Sequence, residues 1–427
     1  MQEKQNSTGL VWFTNNLRVQ DNIVLSQALQ NQDTIIAVYC FDPRHYQLNS
    51  YGFKKTEKFR AQFLIETIHN LKYNLNLLHV ELFVFFEQPE NLLPKLVSTY
   101  GINKIYVQNE WTQGEQHVFE LAKKEVPTVE FHVYFDQFLY HPNDINLNAS
   151  EIPQVFTNFR KHVEKSCMIR KEIDINHAQE KKPIPNKTEI PSLQDLGFSK
   201  FNTHFHSAFP FKGGETLALN RLNDYFFSTK KLGVYKKKSY GILGTDYSYK
   251  FSPLLANGSI SARTIYWNIK NYDKEHETNS STYWLIFELI WRDYFKYISL
   301  KWGNDIFKIG GILQKKYEWN YDKVLLEQWI HGKTASPFVN ANMLELKKTG
   351  WMSNRGRQNV ASYFSKQLRL DWRIGAAYFE SLLLDYDVHS NYGNWMYTAG
   401  VGNDPRDRKF NVALQAERYD AKGTFQN

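Results

Sequence analysis

Trp-Met-Ser-Asn-Arg-Gly-Arg-Gln-Asn-Val-Ala-Ser at 351–362, Asp-Trp-Arg at 371–373, Asp-Tyr-Asp at 385–387 and Asn-Tyr-Gly-Asn-Trp-Met-Tyr-Thr-Ala-Gly at 391–400 set large aromatics among Arg, Asn and Asp four times in one short stretch. Aromatic faces hold a ring system, amides read its edges and Arg meets phosphate, so the mixture suits a flat, polar-edged, phosphorylated ligand. A helical core with buried ion pairs would use the same residue types singly. Four clusters in sequence favour a site. Nine of the 11 Trp lie at or after position 267, which places ring ligands in the C-terminal half.

Working outward, the pattern after Gly213 is helical to near the end of the chain. Ser280–Trp302 has Trp284, Phe287, Trp291, Tyr294, Phe295 and Ile298 at close to a 3.6-residue period, and Glu288 and Arg292 share a face four residues apart. Their aromatic neighbours predict a buried setting, in which a carboxylate needs partners or a functional reason.

The first ~135 residues instead alternate apolar strands (Gly9–Thr14, Thr34–Phe41, Leu77–Phe86, Ile102–Gln108, Thr128–Phe135) with amphipathic helices (Asn22–Gln30, Lys54–Tyr73, Glu90–Tyr100, Gly114–Lys124). That alternation predicts a Rossmann-like parallel sheet covered on both faces, with ligands beyond the carboxyl ends of its strands. No Gly-x-Gly-x-x-Gly follows the first strand. A Pro-rich polar run at 181–192 reads as a surface linker. The expected division is an α/β domain at 1–140, a linker at 141–212 and an all-α domain at 213–427, since 427 residues exceed one ordinary core.

A net charge of +8 favours anionic partners. The two cysteines, Cys40 and Cys167, make neither a disulfide framework nor a metal set, which fits a reducing cytoplasm. No apolar run reaches the ~20 residues that span a bilayer, and the opening Met1–Thr8 is polar.

Several constellations carry chemistry. In Asp-Tyr-Ser-Tyr-Lys-Phe-Ser-Pro at 246–253, Ser248 and Ser252 flank Lys250, and Pro253 opens a helix. Hydroxyls, an ammonium and free N–H groups can hold a pyrophosphate; an ordinary capped helix is the plainer reading. Ser353 caps a helix whose first turn holds Arg355 and Arg357, against the helix dipole, so carboxylates are expected nearby; Asp385 and Asp387 are the natural partners. Neither Asp385-x-Asp387 nor His204-x-His206 has metal-ligand company, so no metal is expected. Trp319, Trp372 and Trp395 are core residues or a chain of oxidisable rings; spacing does not separate these. With no nucleophile triad and no P-loop, the chemistry belongs to a cofactor.

These residues resemble the photolyase/cryptochrome superfamily, most closely the cryptochrome DASH branch. The likeness runs from Leu10-Val-Trp-Phe through Phe287-Glu-Leu-Ile-Trp-Arg-Asp-Tyr-Phe295 to Arg418-Tyr-Asp420, and 351–362 and 397–406 are its most specific parts. It implies an N-terminal α/β antenna domain and a C-terminal all-α FAD-binding domain. By similarity, Tyr235, Ser248, Lys250 and Ser252, with the intervening Tyr249 and Phe251, hold the phosphate side of FAD. Arg292, Asn354, Arg357, Asp385, Tyr386 and Asp387 line its ring and ribose side, Arg357 pairs with Asp385, and Asn391 faces flavin N5. Trp395, Trp372 and Trp319 match an electron relay to the surface. Glu110 matches the acidic residue that binds an antenna folate, 5,10-methenyltetrahydrofolate.

The resemblance also implies blue-light-driven electron transfer from reduced FAD to a cyclobutane pyrimidine dimer in DNA, contacted by Glu288, Asn354 and Trp291. Tyr397 and Gln358 stand where duplex-active relatives carry a second Trp and a Met, which predicts preference for single-stranded DNA. A blue-light photoreceptor with weak or no repair is the alternative. RNA stays open as a partner, no membrane is expected, and the chain is expected to be a monomer. Asn340, where the family has Asp, is expected to loosen a helix start. Thr14, Asn16 and Gln20 depart from the family near the first strand.

Overall fold

The computed structural model describes residues 7–175, 181–239, 241–276, 278–404 and 406–426; Pro405, inside the 397–406 motif, lies outside them. Five strands, β1 (Thr8–Phe13), β2 (Thr34–Cys40), β3 (Glu81–Phe85), β4 (Lys104–Gln108) and β5 (Glu130–Tyr134), form one sheet in the order β3-β2-β1-β4-β5. Every pairing is parallel. Four helices connect them: α1 (Ile23–Asn31), α2 (Lys58–Asn76), α3 (Pro89–Tyr100) and α4 (Gln113–Glu125). Successive side chains of a strand point to opposite faces. Val11 and Phe13 join one core, Leu10 and Trp12 the other, and all four are buried because helices cover both faces.

The third strand begins later than the apolar run Leu77–Phe86 suggests. Leu77 closes α2 and His79 takes a left-handed φ of 56°, so hydrophobicity ran on through a turn. The 181–192 segment does more than link. Thr188 Oγ1 accepts from the Val84 N–H, and Asn186 donates to the Leu82 carbonyl, covering the open edge of β3.

The rest is helical: α5 (Phe156–Ser166), α6 (Glu215–Asn223), α7 (Tyr235–Lys238), α8 (Ser252–Ala256), α9 (Ala262–Glu275) and α10 (Ser280–Trp302). There follow α11 (Lys323–Ile330), α12 (Pro337–Thr349), α13 (Asn354–Ser362), α14 (Trp372–Leu382), α15 (Val388–Ala399) and α16 (Val412–Tyr419). The 23-residue α10 is the axis of this half, capped by Asn279 and packed on α5, α7, α9 and α15. None of the described helices is long and apolar enough to cross a membrane. Asn340 does not loosen its helix start. Its amide bonds both ways with Thr334, closing the turn that leads into α12.

Buried charge locks the halves together. Asp136 takes Arg18 at 2.6 Å and Arg263 at 2.9 Å, and Arg263 also pairs with Asp21 at 2.9 Å. Two cations against two anions satisfy what burial demands. At Gly258 (φ 76°) a Cβ would lie 2.1 Å from the Asn15 carbonyl oxygen, so only glycine lets the two halves approach this closely.

Candidate functional site

Ser353 Oγ accepts from Gly356 N at 3.0 Å and starts α13, which presents Asn354, Arg357 and Gln358 on one face. Arg357 Nη2 reaches both Asp385 oxygens at 2.9 Å, the carboxylate that its place in a helix's first turn called for. Asp387 caps α15 through Ser390 N at 2.8 Å. One turn later Asn391 donates to the Ala376 carbonyl at 3.0 Å, which leaves its amide oxygen for the pocket. Asn354, Arg357, Gln358, Asp385, Asn391 and Trp395 line a single pocket between α13 and α15.

On the α10 side, Glu288 and Arg292 do not pair. Arg292 donates to the Gln137 and Leu255 carbonyls, and its side chain borders the cavity between the domains rather than the α13–α15 pocket. Glu288 Oε2 accepts from two phenols, Tyr235 at 2.5 Å and Tyr249 at 2.9 Å. Burial raises the Glu288 pKa, and donors from Tyr235, Tyr249 and Trp284 pull against that rise. Trp291 lies one turn on. Phe156 of α5 stacks on it with centroids 3.6 Å apart, and Tyr397 meets it edge-on at 6.2 Å. The hydroxyl of Tyr397 accepts from Arg408 at 3.0 Å, and Gln358 accepts from Arg355 at 2.9 Å. Sequence offered no signal for Phe156, which falls in the expected linker.

The segment at 248–252 turns sharply. Lys250 has a left-handed φ of 63° and is buried, its Nζ 3.3 Å from the Tyr247 ring centroid and 4.4 Å from that of Trp351. Among the described residues it has no hydrogen-bond acceptor, and Glu345 Oε2 has no donor. Burial pushes Lys250 down to about 6 and Glu345 up to about 8. A buried ammonium without an acceptor fits an anionic group such as a phosphate. Pro253 sits in the first turn of α8, and Phe251 is fully buried in the core.

Trp395 packs closely against Gly375, where a Cβ would come within 2.3 Å of its ring. Gly375 is one turn from Trp372, whose indole donates to the Ile309 carbonyl at 2.9 Å. Trp319 flanks Asn320, which bridges to Leu370 just before α14. Among the described residues, the indole in ring contact with Trp395 is Trp329, at 6.4 Å, which sequence reading missed. Trp329 is fully buried and its N–H lacks an acceptor among the described residues, so a positive hole there is less well stabilised than on Trp372.

A second cavity opens between the domains at the carboxyl ends of β1, β2 and β4, where parallel sheets bind ligands. Glu110 borders it, accepting from Gln108 at 2.8 Å; burial raises its carboxyl to about 7. Tyr386 and Asp387 line both cavities and separate them. Lys296 holds Asp387 at 2.9 Å. Burial alone would raise Asp387, but Lys296, His389 and Arg292 outweigh it and hold the carboxyl far below its usual range. Lys296 went unnoticed in the sequence, although it continues the Glu288–Arg292 face at the same four-residue spacing.

Comparison with known proteins agrees with this geometry. Residues 9–185 match the DNA photolyase family, and 284–427 match the FAD binding domain of DNA photolyase. A sheet domain joined to a helical FAD-binding domain defines the photolyase/cryptochrome class. Cryptochrome DASH of Synechocystis is 44% identical over 426 residues, 98% of this chain and 86% of that protein. Cryptochrome DASH of Danio rerio is 44% identical over 98% of this chain and 82% of its own. The crystal structure of Synechocystis cryptochrome superposes with a TM-score of 0.93 at 42% identity, covering 98% of this chain and 88% of that one. The chain belongs to the cryptochrome DASH branch of the photolyase/cryptochrome family.

Proposed function

We propose that this protein uses blue light and bound FAD to split cyclobutane pyrimidine dimers, preferentially in single-stranded DNA. One observation carries the reading: the edge contact of Trp291 with Tyr397 brings the Glu288–Trp291 face of α10 against α15, beside the pocket that holds Arg357, Asp385 and Asn391. When bound, the flavin supplies light absorption and the electron for bond cleavage. Lys250, Ser248 and Ser252 would hold its phosphates, with the buried ammonium gaining the acceptor it lacks. Arg357 and Asp385 would flank its ring system, and the free amide oxygen of Asn391 would accept a proton-bearing ring nitrogen without adding charge. Trp395, Trp372 and Trp319 would carry electrons inward from the surface. The cavity beside Glu110 would take a second chromophore, a folate.

Glu288, Asn354 and Trp291 would meet the dimer. Trp291 has Phe156 on one face, so a flipped dimer has limited stacking area, and Tyr397 offers less than an indole would. Losing a good stacking platform removes about 1–3 kcal/mol. Extrusion from a duplex costs a few kcal/mol and much less from a single strand. The reduced protein, illuminated with dimer-containing oligonucleotides, should therefore clear dimers from single strands roughly tenfold or more faster than from duplexes. No loss from either substrate would overturn the repair reading and favour a photoreceptor. Equal rates would overturn only the strand preference.

A further inference from the structure

Two phenols end on the same oxygen of Glu288. Tyr235 arrives from α7 and Tyr249 from the turn before α8, both on Oε2. A carboxyl group that accepts two O–H donors on one oxygen keeps that oxygen as its acceptor end. When the group is protonated, its proton must sit on the other oxygen. We infer that Tyr235 and Tyr249 are positioning residues that reserve Oε2 as acceptor and leave Oε1 as the oxygen that carries a proton to the substrate. This deepens and rests on the repair reading, in which Glu288 contacts the dimer.

Burial raises the Glu288 carboxyl above its ordinary range, against the pull of its donors. Burial also raises Tyr235, Tyr249 and the more distant Tyr225, so all three phenols stay protonated and available as donors. Trp284, one turn earlier on α10, also pulls the carboxyl's pKa down against burial. Arg292, one turn later, spends its guanidinium on the Gln137 and Leu255 carbonyls. Tyr249 also packs on Phe251 and Tyr235, each with centroids 5.1 Å apart, so its ring is held from two sides and its hydroxyl is aimed. The electron count of dimer splitting is unchanged: the proton on Oε1 is shared with a substrate carbonyl and returns when the bonds have opened.

Donors to a carboxylate stabilise its charged form, so removing one raises the pKa. In flavin-loaded protein, infrared spectroscopy of the protonated-carboxyl stretch, with Glu288→Gln as the blank, follows Glu288 directly as pH is varied. Tyr249→Phe and Tyr235→Phe should each move the titration midpoint of that band to higher pH. The alkaline limb of dimer repair should shift the same way, to higher pH, by about fivefold in the protonation constant, the worth of one net hydrogen bond. Each variant is compared with the wild type at full flavin loading, so that any loss of cofactor stays out of the comparison. If Tyr235→Phe fails to fold, Tyr249→Phe alone carries the test, because its ring packing is retained. An unmoved midpoint in the folded variants overturns the inference. A moved midpoint in a protein that repairs no dimer keeps the hydrogen-bond assignment, removes its catalytic purpose, and marks the failure as that of the repair reading.

Discussion

The ammonium of Lys250 is buried between two aromatic rings without an acceptor among the described residues, which is costly for a cation unless a ligand completes it. Opposite effects follow from one substitution. Lys250→Met should weaken FAD binding about 10–100-fold, the worth of a charge-assisted hydrogen bond, yet raise the melting temperature of the cofactor-free protein. The pH dependence has a definite sign. With the folded pKa depressed to about 6 and the unfolded value near 10.4, the unfolded chain binds more protons in that window. Cofactor-free wild type should therefore gain stability as pH rises from about 6 towards 10, and Lys250→Met should lose that slope. Flavin titration and thermal melts at several pH values check both halves. Lys250 itself was legible from its flanking serines. Its cage was not, because Trp351 comes from a distant part of the chain and no local pattern announces the contact. The same holds for Glu288: its burial could be read from neighbouring rings, but its two phenol partners are set by how α7 and the turn before α8 close over α10.

At the level of elements, caps decide where the site residues point. Asp387 both caps α15 and neutralises Lys296, so a single carboxylate fixes the helix that carries Asn391 and Trp395. Asp387→Ala should cost about 3–5 kcal/mol, because it leaves a buried cation unpaired as well as removing a cap. Asp387→Ala/Lys296→Met should recover part of that loss, and the double-mutant cycle from chemical denaturation measures the coupling. Since the folded pKa of Asp387 is depressed, its contribution is full above the unfolded value of about 3.9 and falls away only in acid below it. The gap between wild type and Asp387→Ala should close there. Periodicity located the helices and parallel strands well, since both faces of the sheet and one face of α10 are buried and the pattern is strong. It failed at Leu77–Val80, where apolar residues continue through a turn, and it gave α5 no standing as part of the site.

Across the whole molecule, the two cavities share a wall at Tyr386 and Asp387, so the domain interface is itself part of the site. Sequence placed Glu110 at the end of β4 through resemblance, and strand alternation alone pointed to that edge of the sheet; the wall between the cavities emerged only from how α15 docks on it. Glu110 makes this interface sensitive to pH. Its folded carboxyl is raised to about 7 against an unfolded value of about 4.3, so the folded state binds more protons between those limits. Stability without a chromophore should fall as pH rises through that window. Glu110→Gln cannot ionise and should be more stable than wild type at pH 8 by on the order of 1–3 kcal/mol, with the two alike at pH 5. Chromophore binding should run the other way. A folate ring that donates hydrogen bonds needs the carboxylate, so its affinity for wild type should rise with pH through about 7, while Glu110→Gln binds more weakly and with a flat profile. Melting curves of the chromophore-free protein and fluorescence titrations with methenyltetrahydrofolate test the two arms separately. A flat stability difference from pH 5 to 8 would mean that Glu110 is ionised throughout, and a pH-independent wild-type affinity would mean that the ring does not rest on it.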